Sequence, residues 1–540
     1  MSVATEADAE AGNGRSAGRR AAALTFMGGI MLAAAVFNSV VLSGGDSIAL
    51  LVNSDTLLPM HMAWDTHRFG GAWAAYQWPR IPSLLDMAYF HTAERLGIGW
   101  RPALLGFIAL ALAMLGLAMG AVIGRVRGCG LAQGSAQAAL ALAGLMMVLA
   151  ALTALTGPGP WLAASMVLMP VSHGSGFVLS MLGAATADAA LRGNRQAWWA
   201  TVLICLVGSF SDLLFAAVFW LPLAAATRLP LLQTILKEGG FDALRRANTW
   251  RRLVVQHRAL TYGALLACLA GWAGQRLVNL QPLGASLLRP PGAAMMQMLR
   301  DMVHTPWTGL VVAGSLALIA AAAAATAAKP VPGEGPDHTG HAFLIVFGAA
   351  AAAMGLGLLA ITYVDPNSWR YAMTSIWWPL AAGLALRRPV LPRYSARLGA
   401  ASTPGAVLLL AAVLLTVVRP PLLLAWHNPL ETCLNGARVN QGLRHGLASY
   451  WLARATEASS DWRWQLRPIS AGGTRLPWGD DPTLYARDAN RPGQAAQFNF
   501  IVIDQSLNRA DVVRTYGLPA LRSQCPGAEL WVYDRLLVPA

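Results

Sequence analysis

The chain has 540 residues, of which 56% are hydrophobic and only 12% charged, with a net charge of +14 and a mean hydropathy of +0.47. Such a balance excludes an ordinary water-soluble domain and is that of a polytopic membrane protein. A transmembrane barrel is excluded too: it would show short alternating segments, whereas here apolar runs of roughly 20 residues recur, each enough to cross a core of about 30 Å as a helix.

Residues 1–20 are polar and rich in Ala and Gly, and read as a disordered cytoplasmic N-terminus. Apolar runs then predict helices at 21–43, 103–124, 136–156, 174–191, 197–210, 213–227, 259–277, 308–328, 341–362, 371–386 and 404–424, within a transmembrane domain spanning 21–425. That gives about eleven crossings. The first run lacks a small-residue cleavage site and reads as a retained signal anchor. The fifth and sixth meet at Ser209-Phe210-Ser211-Asp212, as a tight hairpin or as one long tilted helix.

Basic residues beside the helix ends set the orientation, because short cytoplasmic loops carry the excess of Lys and Arg. Arg15, Arg19 and Arg20, then Arg125 and Arg127, Arg192 and Arg195, Arg245 to Arg258, and Arg387 to Arg397 fall on one side when the N-terminus is cytoplasmic. The protein reads as integral to a bacterial-type inner membrane, with its C-terminal part outside. The basic cluster after Arg228 orients the chain and meets anionic headgroups, so membrane lipids are the expected partners and nucleic acid is not.

From Trp426 to Ala540 the composition turns mixed, and a small extracytoplasmic α/β domain is expected over 426–540. Leu443 to Ala458 and Ala510 to Tyr516 have helical spacing, while Trp462 to Ile469, Phe498 to Asp504 and Glu529 to Leu537 read as strands. Cys433 and Cys525 lie near the start and end of this domain, in an oxidising compartment, and are expected to pair. Cys129, Cys205 and Cys268 have no zinc-like spacing.

The outer loop 44–102 is too long to be a plain connector. It carries Met60, Met62, Trp64, Trp73, Tyr76, Trp78, Met87 and Phe90, and is expected to lie on the outer leaflet as short amphipathic helices with aromatic rings at headgroup level. Its ionisable residues outnumber what an anchor needs. Asp55, in Asn53-Ser54-Asp55, and Asp65 stand out because both lie among apolar residues close to the membrane face. At the outer ends of other helices Arg370, Arg276, His173, Asp212 and His304 are functional suspects, since ionisable groups at membrane depth are expensive. Arg370 has the planar fork that grips phosphate oxygens. His173 opens the turn Ser172-His173-Gly174-Ser175-Gly176 ahead of a helix whose free N–H groups suit an anion. Asp212 needs a partner or serves as a helix cap.

This layout resembles the GT-C superfamily of integral membrane glycosyltransferases, which take sugar from a polyprenyl-phosphate donor. The resemblance covers the many helices, the large first outer loop, the early acid Asp55, Asp65 or Asp86 as a second acid, the outer C-terminal domain, and the Arg370-Tyr371 pair at a helix start. It departs from relatives that carry two adjacent acids, for Asn53-Ser54-Asp55 has one. By this resemblance Asp55, with Asp65, is catalytic; Arg370, Tyr371, Arg276 and His173, with help from Arg300, hold the donor phosphate. The implied partners are a polyprenyl-phosphate sugar and an extracytoplasmic acceptor, which is a glycan, lipid or protein. No certain cofactor is implied, and a divalent metal ion stays open. A transporter or lipid-linked glycan flippase is the alternative, as is an outer-leaflet ligase using a His/Arg constellation.

Overall fold

The computed structural model describes residues 3–69, 83–156, 166–170, 173–212, 214–228, 248–278, 295–300, 306–327, 338–362, 366–386, 403–476, 482–488, 491 and 493–539. Tyr363 to Asp365, Asp301, His304, Ser172, Trp73, Tyr76 and Trp78 lie outside these residues.

In chain order the helical part comprises α1 (Val3–Val36), running on into a π-helical turn Phe37–Val41, then α2 (Gly45–Leu51), α3 (Ser54–Phe69), α4 (Leu84–Arg95), α5 (Trp100–Arg127), α6 (Leu131–Thr156), α7 (Gly174–Leu191) and α8 (Arg195–Ser211). There follow α9 (Ala216–Arg228), which opens on a second π-helical turn, α10 (Asn248–Val278), α11 (Pro306–Ala327), α12 (His338–Thr362), a 3-10 turn Pro366–Ala372, α13 (Met373–Leu386) and α14 (Thr403–Val418). Ala- and Leu-rich sequence makes these good helices, and local chemistry ends them: Gly128, at φ +64°, stops α5, and the Asn194 side chain accepts from Ala197 N to start α8. Small residues let the helices touch. A Cβ on Gly134 would lie 2.2 Å from the Gly120 carbonyl oxygen, which holds α5 and α6 backbone to backbone.

Among the described residues five helices are long and apolar enough to cross a membrane: Ser16–Val41, Trp100–Arg127, Leu131–Leu155, Gly174–Leu191 and Ala342–Thr362; the pair Pro404–Val418 and Leu422–Arg438, bent by 45°, makes a sixth if it is one broken span. This suggests a membrane-embedded protein. The other expected crossings are shorter or more polar: α8 has 17 residues, α13 has 14, and α10 carries Arg251, Arg252 and Arg258 in its first half.

The expectation of a disordered N-terminus is corrected. Residues 3–20 are helical as the start of α1, because their Ala and Glu residues favour helix and extend a nucleus already formed by the apolar run. The described residues of 44–102 form the short helices α2, α3 and α4, and in α3 Leu57, Leu58, Met60, Met62 and Ala63 are buried, with the C-terminal unit packed on it.

The two ends of the bundle differ in chemistry. At one, Arg192 and Arg125 reach the buried Asp188 at 3.1 and 3.9 Å, and Arg127 donates to the carbonyls of Leu384 and Ala385 at the end of α13. At the other, α3, α4, the start of α7, the end of α8 and the 3-10 turn before α13 meet beneath the C-terminal unit.

That unit contains α15 (Pro429–Gln441), β1 (His445–Ser449), α16 (Tyr450–Ser459), β2 (Leu466–Ile469), β3 (Phe498–Ile503), α17 (Arg509–Tyr516), β4 (Leu521–Cys525) and β5 (Ala528–Leu537). The sheet order is β2-β1-β3-β5-β4, parallel across β2-β1-β3 and antiparallel beyond. Successive residues face opposite layers, so Ala448, Val502 and Val532 join one core while Leu447, Ile501 and Trp531 join the other. The stretch 443–458, expected as a single helix, is therefore strand then helix. β1 is a central strand buried on both faces, and such a short apolar run has no period that separates it from a helix. Cys433 and Cys525 form a disulfide that ties α15 to the end of β4, 92 residues apart. Its reduction is expected to cost about 2–5 kcal/mol by freeing so long a loop in the unfolded chain, read as a lowered Tm under reductant that a Cys433→Ser variant does not show further.

Candidate active site

Asp55 is where the chain after α1 turns into α3. Asn53 caps that helix, its Oδ1 accepting from Thr56 N at 3.0 Å, so Asp55 falls in the first turn, where a carboxylate meets the positive end of the helix dipole. Two groups from remote parts of the chain close on it. Tyr450 Oη, at the start of α16, donates to Asp55 Oδ1 at 3.0 Å, and Arg370 Nη1 reaches Oδ2 at 3.4 Å. Burial pushes the Asp55 carboxyl above the ordinary carboxylate range; Arg370, the Tyr450 hydrogen bond and the charge of His173 pull the other way without cancelling it. The result is a proton-accepting carboxylate with fixed partners.

Arg370 also donates from Nη2 to Tyr371 Oη at 3.2 Å, with its guanidinium 5.1 Å over that ring. His173 also packs on Tyr371, with ring centroids 5.3 Å apart. His173 caps α7 in the left-handed region, at φ +70°, and its Nδ1 is 2.7 Å from Asp212 Oδ2. Asp212 holds its other oxygen toward Leu214 N at 2.9 Å. Asp212 thus has the partner that a buried carboxylate needs, while its second oxygen closes the turn between α8 and α9 and does not cap the start of α9, whose N-cap is Phe215. Beside this pair, Ser83 Oγ donates to Asp86 Oδ2 at 2.6 Å and lies 2.8 Å from Ser175 Oγ, and Ser83 N bonds the Ser211 carbonyl at 3.2 Å. Ser83 too has positive φ, 43°. Non-glycine residues held there are uncommon and tend to gather where geometry is imposed for use.

The structure therefore brings Asp55, Arg370, Tyr371 and His173 into one group, and adds Asp212 and Tyr450 to it. Asp65 is elsewhere: it lies ten residues further along α3, roughly 15 Å by helical rise, and is 2% exposed. Arg276, in the last turn of α10, stacks on Trp272 at 5.7 Å and is not among the groups that act on the Asp55 charge. Cys433 and Cys525 sit in the sheet unit, away from this chemistry.

A second polar knot locks the C-terminal unit to α3. Arg454 and Glu457 of α16, Arg467 of β2 and His61 of α3 are all buried: Arg454 Nη1 donates to His61 Nδ1 at 3.0 Å, Glu457 Oε2 lies 3.4 Å from Arg454 Nη1 and 3.3 Å from His61 Nε2, and Glu457 Oε1 accepts from Leu466 N at 2.8 Å. Trp462 stacks on Trp64 at 4.7 Å and packs edge-on to His61, and Arg101 pairs with Asp461 at 2.6 Å. Asp461 and Trp462 are the other two non-glycine residues with positive φ among those described.

Tyr450 is a site residue that sequence reasoning missed, because nothing local marks a tyrosine 395 positions from its partner. The Asn53 cap had a signal: Asn followed by an acid two residues later is an ordinary helix start. Among the described residues no three His, Cys, Asp or Glu side chains gather as ligands for a metal ion, and the nearest partners of Asp55 are a cation and a hydroxyl; these residues do not fit a dedicated cation site. No protein-family model, curated protein or solved structure matches this chain.

Proposed function

We propose that the protein transfers a sugar from a polyprenyl-phosphate donor to an acceptor at the outer face of a membrane, as a GT-C-like transferase with about eleven crossings, the N-terminus inside and the C-terminal unit outside. One observation carries the reading: a proton-accepting Asp55, the phosphate-competent fork of Arg370, Tyr371 and His173 come together from three separate segments at one end of an apolar bundle. The opposite end gathers Arg125, Arg127 and Arg192, as the inner end of such a protein would.

In this mechanism the donor phosphate lies against Arg370, and Asp55 takes the proton of the acceptor hydroxyl as that oxygen attacks the anomeric carbon. The bond from that carbon to the phosphate oxygen breaks with its electron pair leaving on the phosphate, whose growing charge Arg370 stabilises. Donor binding competes for Arg370, and loosening the ion pair at 3.4 Å leaves Asp55 a stronger base. The test is transfer of radiolabel from a panel of polyprenyl-phosphate sugars to envelope acceptors in membranes containing the protein; no transfer from any donor sinks the reading.

Tyr450 tunes the base. Its hydrogen bond lowers the Asp55 pKa, so Tyr450→Phe is expected to raise it and to move the acid limb of the rate profile, where activity is lost as pH falls, to higher pH. An unmoved limb would remove Tyr450 from the site. A ligase acting on lipid diphosphate-linked glycan is the second reading, favoured by the pairing of His173 and Arg370 around Tyr371. Preference for a diphosphate-linked oligosaccharide over every monophosphate-linked sugar would select it.

A further inference from the structure

His173 and Asp212 form a buried acid–imidazole pair that the transfer step above leaves unused. Asp212 is 3% and His173 9% exposed, so the 2.7 Å contact between them is shielded from water. A carboxylate can only accept, so Nδ1 carries the hydrogen of this bond. Asp212 cannot turn away easily, because its second oxygen is held by Leu214 N at 2.9 Å. Room for it is made by Gly176, where a Cβ would stand 3.0 Å from Asp212 Oδ2. His173 for its part is held at φ +70°, a conformation that a histidine keeps only when its surroundings impose it.

The other ring nitrogen, Nε2, makes no hydrogen bond among the described residues. The ring packs on Tyr371, whose hydroxyl accepts from Arg370, so the imidazole belongs to the phosphate-gripping side of the group. The charged and titratable groups facing it are Asp212 from the end of α8, Asp55 from α3, and Arg370 and Tyr371 from the 3-10 turn; Asp86 of α4 adjoins through Ser83 and Ser175. A histidine that only binds phosphate needs no buried carboxylate behind it. A histidine that gives and regains a proton does, because the carboxylate fixes the tautomer and steadies the imidazolium.

We propose that His173 is a second catalytic residue of this site, donating the Nε2 proton to the phosphate oxygen that leaves the sugar, with Asp212 as its positioning residue. This rests on the glycosyl-transfer reading. The step balances: the acceptor oxygen forms a bond to the anomeric carbon and gives its proton to Asp55, the bond from that carbon to phosphate oxygen breaks, and the oxygen keeps the electron pair and takes the His173 proton. Asp55 then loses a proton to water and His173 regains one.

The experiment is the pH dependence of transfer by the full-length protein in membranes, using the polyprenyl-phosphate sugar that the wild type accepts. Wild type is expected to lose kcat as pH rises, with a one-proton limb. His173→Gln should abolish that limb and lower kcat by about 10²–10⁴-fold, with the donor KM changed less than about threefold. Asp212→Asn should keep the limb and move it to lower pH, since the imidazolium loses its counter-charge; it decides the matter if the His173 variant does not fold. The role is overturned if His173→Gln keeps wild-type kcat, if only KM rises, if the lost limb is the acid one, or if Asp212→Asn leaves the profile unmoved. A wild type that transfers from no donor fails differently, and takes the glycosyl-transfer reading down with this role.

Discussion

Asp55→Asn is expected to lower transfer by about 10²–10⁴-fold in kcat while leaving the donor KM within a few-fold, because the amide keeps the shape of the site but cannot take the acceptor's proton. The geometry makes this a clean substitution. Asparagine retains an oxygen for the Tyr450 hydroxyl, and a neutral group opposite Arg370 frees that guanidinium for donor phosphate. Binding is thus maintained or tightened while chemistry is lost, a combination that a folding defect does not give. Asp65→Asn, at a buried position, should instead act on stability; a kcat loss at Asp65 equal to that at Asp55 would contradict the separation of the two acids along α3.

Glu457→Gln is expected to destabilise the protein by about 3–5 kcal/mol, seen as a large fall in Tm. Glu457 faces Arg454, which is 0% exposed, and Arg467 at 3.8 Å, which is 1% exposed, and it also bonds the backbone of β2. Removing its charge leaves two guanidinium groups in a dry interface. Exchanging Arg454 and Glu457 together for apolar residues should cost less than the single change, since no charge is then stranded; a double variant worse than Glu457→Gln would argue against this. Acid should act on the same knot. Burial first, then Arg454 and Arg467, hold the His61 imidazole well below its ordinary range, so the folded protein keeps it neutral. The unfolded chain takes up that proton below about pH 6.5. The His61 contribution is therefore fully present above that pH and is lost as pH falls below it, and Tm should drop between about pH 7 and pH 5. A His61→Gln variant should show a smaller drop.

The parts of the site legible in the sequence are those whose cost advertises them. Asp55, His173, Asp212 and Arg370 are ionisable residues beside apolar helices, and desolvation alone makes them conspicuous. Their mutual arrangement was not legible, since 315 residues separate Arg370 from Asp55 and no local pattern encodes the distance between helix ends. Strand β3, a run of aromatic and β-branched residues, and helix α17, with its helical spacing, could be read directly, whereas β4, Leu521–Cys525, is an edge strand with mostly exposed polar residues, and resembles a loop. Helix length in the bundle misled for a different reason: the apolar run 371–386 is divided between a 3-10 turn and a 14-residue helix, so hydropathy measures the apolar length and not the length of the element.

Tyr450 and Arg454 are one turn apart on α16, so a single rigid helix carries both the hydroxyl that touches Asp55 and the guanidinium that locks into α3. Order of synthesis gives that arrangement a meaning in time. Asp55 emerges from the ribosome early, whereas Arg370 and Tyr450, which hold and tune it, lie 315 and 395 residues further along. Until the C-terminal unit docks, that acid lacks the Tyr450 hydroxyl and the anchorage that Arg454 gives α16. Docking of the C-terminal unit on α3 and completion of the Asp55 surroundings are thus a single event in folding.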